Sequence, residues 1–225
     1  MQLILMGAEY TGKRALAQRI VEWWHEQTGS SVSFHDHFTP PFEVQDNPTT
    51  EEEAENEQLA NMVPSLLEKF QRYQIEYHIR PFHDSDLLTI NHYYGDAVYS
   101  GLYLGYGGSG DYGDRRILAR HWDKEMLEVF PAAVLVLMKA SASVVSQRMA
   151  RDPRPGHPVA EDDLDTVLGR FQEEFDQSLI FRRFELDTSE QSDEEVFESF
   201  VRQIEPLIDE RDSLRILRHR LMIGE

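Results

Sequence analysis

The sequence predicts an α/β fold class: three layers, with helices on both faces of a central parallel sheet. Short apolar runs of strand length alternate along the chain with segments whose apolar residues recur at helical spacing. Parallel strands need long crossovers, and helices of this kind supply them. The first strand also runs directly into a glycine-containing loop and then a helix, at the sheet end where open α/β folds bind their ligands.

The elements follow in order. Residues 3–6 are an apolar first strand, too short for a signal peptide and with no basic region before it, so export is not implied. The loop 7–13 leads into a helix over 14–21, and residues 31–34 form a second strand ending at His35-Asp36-His37-Phe38 before Pro40-Pro41. An acidic stretch over 43–57 reads as a solvated segment or as a helix start at Thr49-Thr50-Glu51. Residues 59–77 read as a long helix begun or interrupted near Pro64, and 87–90 as the third strand. The Gly- and Tyr-rich tract 99–113 reads as a substrate-facing loop. A strongly apolar strand over 132–138, a helix over 141–150 and a proline-broken basic loop over 151–158 come next. A helix over 163–179, a short strand over 183–186, an amphipathic helix over 193–208 and a final helical segment near 209–225 complete the chain. That last segment packs as a helix or mediates self-association as a homodimer. Trp23-Trp24 on the first helix read as packing residues.

At 225 residues, one domain with one core accounts for the chain. The absence of any long apolar run excludes a membrane-spanning helix. With no cysteine there are no disulfides or thiolate metal sites, which fits a reducing cytoplasm. A formal net charge of -19 excludes general nucleic-acid binding, since phosphate backbones bind clustered positive charge. A small phosphorylated ligand stays open, because a few placed cations and backbone N–H groups can hold it.

The loop Gly7-Ala8-Glu9-Tyr10-Thr11-Gly12-Lys13 fits the first seven positions of the Walker A pattern, between a strand and a helix as its chemistry requires. Glycines let backbone curl round a phosphate chain, the helix start supplies N–H donors, and Lys13 reaches the β and γ oxygens. The predicted domain is therefore of the P-loop NTPase type, with ATP and Mg²⁺ as cofactors. Arg14 stands where the pattern has a Ser or Thr that ligates Mg²⁺, which leaves Thr11 or bridging water as its replacement.

With that loop placed, the chain resembles the thymidylate kinase and deoxynucleoside kinase branch of P-loop kinases over nearly its whole length. In that branch the third strand ends in an acid-Arg-Tyr segment, and here Asn91-His92-Tyr93 lies in its place, followed by Tyr99-Ser100-Gly101. The resemblance implies that Asn91, His92 and Tyr93 bind substrate. It also implies that Asp36, at the end of the second strand, is the catalytic base near the acceptor hydroxyl. Arg148, Arg151 and Arg154 take the places of the arginines of a lid over about 148–160 that clamps the transferring phosphoryl group. Leu186-Asp187-Thr188-Ser189 resembles the loop that contacts adenine, which makes Asp187 a nucleotide-binding residue. His35-Asp36-His37 also fits a pair of metal ligands on one strand face, without an identifiable third.

The function implied is an ATP-dependent phosphotransferase acting on a nucleoside, nucleotide or similar small acceptor. Arg14, Asn91 and His92 also suit a nucleotide-binding regulatory protein with little turnover. A third reading is phosphorylation of a macromolecular or antibiotic-like acceptor, held by aromatics between Tyr93 and Tyr112.

Overall fold

The computed structural model describes residues 1–36, 58, 61–79, 86–153 and 159–224. Five strands form one wholly parallel sheet: β1 (Gln2–Met6), β2 (Ser33–Asp36), β3 (Leu87–Ile90), β4 (Val134–Lys139) and β5 (Arg183–Asp187), in the order β2-β3-β1-β4-β5. The chain leaves β1 towards one side of the sheet for β2 and β3, then crosses to the other side for β4 and β5. The strand order thus reverses around β1, and the crevice at its carboxyl end is the ligand position of such sheets.

Alternation along the strands divides the core between the two faces. Leu3, Leu5, Val134, Val136, Met138, Phe184 and Leu186 point to one face, where they pack with Leu16, Ile20 and Trp24 of α1 (Lys13–Thr28) and Val196 and Phe200 of α7 (Asp193–Ile204). Ile4, Met6, Leu135 and Leu137 point to the other face. There they meet Tyr93, Tyr94 and Val98 of α3 (His92–Tyr99), Trp122 of α4 (Arg115–Val129) and Phe171 and Phe175 of α6 (Leu164–Gln177). The α-helices Pro64–Ile79 (α2), Ala142–Arg151 (α5) and Glu210–Ile223 (α8) are also found among the described residues.

The predicted α/β/α layering and parallel sheet are what the structure shows. Trp23 and Trp24 pack as expected, Trp23 meeting Phe200 edge-on. Two stretches differ from the sequence reading. The tract 99–113 is not a continuous loop: α3 runs through Tyr99 and passes into a π-helical turn at Ser100–Leu104 before the glycine turns begin. Residues 115–129, to which the sequence reading assigns no element, form α4; Asp114 caps it by accepting from the Arg116 N–H. The acidic stretch 43–57 lies outside the described residues.

The corner of the sheet beneath α8 is tied by charge. Asp86, just before β3, accepts from the Arg215 guanidinium of α8 and from the Met1 ammonium, and Asp212 pairs with both of those cations. Arg215 also donates to Ser30 Oγ at 3.0 Å, so Met1 and α8 are both fixed to this corner. No helix among the described residues is long and apolar enough to cross a membrane.

Candidate phosphate-binding site

The loop between β1 and α1 is shaped by what crowds it. Gly7 has φ +148° and Gly12 φ +87°, and a Cβ on Gly7 would lie 2.4 Å from the Met138 carbonyl oxygen. Only glycine lets β4 approach this closely at the loop's start. Tyr10 also adopts a left-handed conformation, φ 62°, and its hydroxyl donates to the Asp152 carbonyl at 2.9 Å, joining the loop to the segment after α5.

Lys13 is buried and folds back over the loop, donating to the carbonyls of Gly7 (2.7 Å) and Ala8. Thr11 donates to the Ala8 carbonyl at 2.8 Å and is wholly buried, so its hydroxyl closes the loop from within. The first turn of α1 has neither a side-chain cap nor an acidic residue. Its leading N–H groups and positive dipole end therefore face the loop uncompensated, the electrostatics of an anion site.

Beside the loop lies a cavity of about 300 Å³, lined by Gly12, Leu16, Met138, Arg148, Arg151 and Thr188 among others. Arg148 is its best-anchored cation. Its guanidinium donates to the carbonyls of Tyr10 (2.9 Å) and Thr188 (2.6 Å) and to the Thr188 hydroxyl (3.1 Å). Thr188 bonds in turn to the Lys139 carbonyl at 3.1 Å. Thr188 belongs to the loop expected to contact adenine, while Met138, Arg19 and Asp152 are site-lining residues that the sequence reading leaves without a role. Their signal is positional, since each lies at or soon after a strand's carboxyl end or on a helix face turned towards the loop.

The structure thus brings Gly7, Ala8, Tyr10, Thr11, Gly12, Lys13, Arg148 and Arg151 to one place. Glu9 lies in the same loop, where burial first and its charge second push the nearby Tyr99 hydroxyl well up. Asp187 ends β5, and hydrogen bonds from the Ser189 side chain and then its backbone hold the Asp187 carboxyl low. Arg154 and His37 lie outside the described residues, as do residues 154–158 of the expected lid.

On the other side of the loop, Asp36 accepts from the Arg14 Nε at 2.7 Å. Asn91 and His92 are fully buried with φ 59° and 41°, and the Asn91 side-chain oxygen accepts from the Gly7 N–H at 3.0 Å. Tyr93 points its hydroxyl into the core, donating to Asp123 at 2.8 Å beside the Tyr94 hydroxyl at 2.6 Å. His92 lies between the rings of His78 and Tyr93, edge-on to the first and tilted to the second, at centroid distances of 5.9 and 4.8 Å.

No protein-family model matches the chain, and no curated protein matches it in sequence. Solved structures do. YorR protein from Bacillus subtilis, determined in complex with phosphorylated GDP, superposes with a TM-score of 0.57 at 15% identity, over 92% of this chain and 99% of that one. Thymidylate kinase from Ehrlichia chaffeensis gives 0.55 at 14% identity over 91% and 98%. Deoxyadenosine kinase from M. mycoides with bound dATP gives 0.53 at 15% identity over 91% and 99%. The fold is that of the P-loop nucleotide kinases. At these identities the likeness concerns the fold.

A phosphate chain fits the P-loop of this kinase fold: the glycine conformations, the uncapped helix start and the buried lysine amine are all suited to phosphate oxygens. A protein-held magnesium ion does not fit. The hydroxyl position carries Arg14, Thr11 is turned inwards to Ala8, and no cluster of three His, Cys, Asp or Glu able to hold a metal occurs among the described residues.

Proposed function

We propose that this protein is a phosphotransferase that moves the terminal phosphoryl group of ATP to a nucleoside, a nucleotide or a similar small acceptor. The observation that carries this reading is the Lys13 amine, buried inside the loop and held on the Gly7 and Ala8 carbonyls ahead of an uncapped helix. An amine so held can exchange those carbonyls for β and γ oxygens without moving far. The loop's backbone N–H groups take the remaining charge.

Arg148 and Arg151 stand where they can face the transferring group, and guanidinium groups aimed at its equatorial oxygens stabilise the charge gathered there. Arg148's fastening to the Tyr10 and Thr188 carbonyls makes it a fixed support of the pocket wall, so Arg151 is the better candidate for contact with the phosphoryl group. Asp36 is the proposed base. An acceptor O–H approaching the end of β2 gives its proton to the carboxylate, the acceptor oxygen bonds to the γ phosphorus, and the β–γ bridging bond breaks to release the diphosphate. For this the carboxylate must share its attention with Arg14, which ties the base to the occupancy of the loop.

Asn91, His92 and Tyr93 are fully buried, and Asn91 serves this reading by holding the Gly7 N–H at the start of the loop, while the Tyr93 hydroxyl is committed to Asp123 in the core. A second reading, nucleotide binding with little turnover, is favoured by the Arg14–Asp36 pair, since the Asp36 Oδ2 that would take the acceptor's proton already accepts from the Arg14 Nε. Calorimetric titration with ATP, beside the Lys13→Ala variant, tests the common ground of both. Saturable binding that is lost in the variant supports the site, and equal binding by both proteins sinks it. Product formation from a panel of nucleosides, nucleotides and oligonucleotides then separates transfer from binding.

A further inference from the structure

We propose, resting on the nucleotide reading above, that the Arg14 guanidinium takes the place of a protein-bound magnesium ion, so that the loop binds a nucleoside polyphosphate in its metal-free form. Arg14 is the second residue of α1, immediately after Lys13, and so stands on the rim of the phosphate loop. Its Nε is committed to Asp36 at 2.7 Å, while its side chain is 63% exposed and the carboxylate only 10%. That exposure leaves the guanidinium accessible from solvent, and its fork of N–H donors suits two phosphate oxygens at once.

The pair spans from the start of α1 across β3 to the end of β2. Its contribution to the fold is small, because ion pairs with a partner in solvent contribute little to stability. Its placement matters more. Asp36 fixes a permanent positive charge beside Lys13, where in the Walker A pattern a hydroxyl would fix a metal, and a guanidinium there repels a divalent cation. In a chain of net charge -19, a polyanionic ligand needs such local cations. The disagreement between the loop, which fits phosphate, and its hydroxyl position, which does not fit magnesium, then has one cause.

The test is calorimetric titration of the full chain with ADP and with ATP, in EDTA and in excess Mg²⁺. The wild-type protein is expected to bind the metal-free nucleotides at least as tightly as their magnesium forms. Arg14→Ser is expected to lose about tenfold or more in EDTA, as removal of a charge-assisted contact requires, and to recover part of it with Mg²⁺. Asp36→Asn, which releases the guanidinium, is expected to fall between the two. Thermal melting of each variant within a few degrees of wild type shows that folding is not the cause. Wild-type binding that appears only with Mg²⁺ overturns the proposal, as does an unchanged affinity of Arg14→Ser in EDTA. In either case binding lost in Lys13→Ala leaves the nucleotide reading standing. No binding under any condition removes both.

Discussion

The backbone N–H of Gly7 donates to the side-chain oxygen of Asn91 across 3.0 Å, tying the first residue of the phosphate loop to the end of β3. Both groups are buried, and Asn91 also accepts, through its own carbonyl, from the Tyr94 and Gly95 N–H groups that begin α3. One residue therefore fixes the loop and the helix start together. Asn91→Ala leaves the Gly7 N–H without its partner in a dry site, a loss of about 1–3 kcal/mol. The denaturant midpoint is expected to fall accordingly and nucleotide affinity with it, whereas Asn91→Asp, which keeps the acceptor, retains more of the affinity than Ala does.

Gly7→Ala places a methyl group 2.4 Å from the Met138 carbonyl oxygen at a φ of +148°. Backbone cannot give way as a flexible side chain can, so β1 and β4 must part at their carboxyl ends. A destabilisation of about 2 kcal/mol or more is expected in chemical denaturation, with loss of nucleotide binding even where the variant folds.

Arg148 holds the Tyr10 and Thr188 carbonyls together across the mouth of the cavity. Arg148→Ala is expected to weaken nucleotide binding about tenfold, and Arg148→Lys to restore little of it, because an ammonium cannot span both carbonyls as the planar fork does. Titration of the two variants beside wild type measures this.

The corner beneath α8 gives a pH dependence of definite sign. Burial pushes the Asp86 carboxyl up, but hydrogen bonds from Arg215 and the N-terminal ammonium outweigh it and hold the group below the ordinary aspartate value. A carboxylate depressed in the folded state contributes stability that is present above its unfolded value and lost as pH falls through the folded one. Asp86→Asn is therefore expected to be less stable than wild type by about 3 kcal/mol near neutrality. Urea denaturation in steps below pH 4 should show that gap closing; a constant gap would mean that the carboxylate's charge is irrelevant.

What the sequence made legible was what the backbone period and the loop chemistry carry. The strand at 87–90, the apolar strand expected over 132–138 and found at Val134–Lys139, and the glycine loop at 7–13 follow from local residues. The misses depend on distant partners. Helix α4 carries Arg115, Arg116, Arg120 and Asp123, charges that look like a surface until Asp96, Glu68 and Glu174 are found opposite them. The same holds for Tyr93 and Tyr94, whose aromatic run suggests a ligand cradle, while their hydroxyls meet Asp123 on α4. At the site, the kinase resemblance singled out Asp36 and the Walker A pattern singled out Arg14, but only the parallel register of β2 and β3 makes them partners.

The knot around Asp86 also bears on how the chain is made. Its counter-ion Arg215 is translated 129 residues later, an interval of about 6–26 s at roughly 5–20 residues per second. Throughout that interval β3 can pair with β1, yet the carboxylate beside it lacks the guanidinium that repays its dehydration. Only the Met1 ammonium can meet Asp86 before then, so the corner is completed after translation has passed Arg215, and docking of α8 is expected to be a late step in this protein's synthesis.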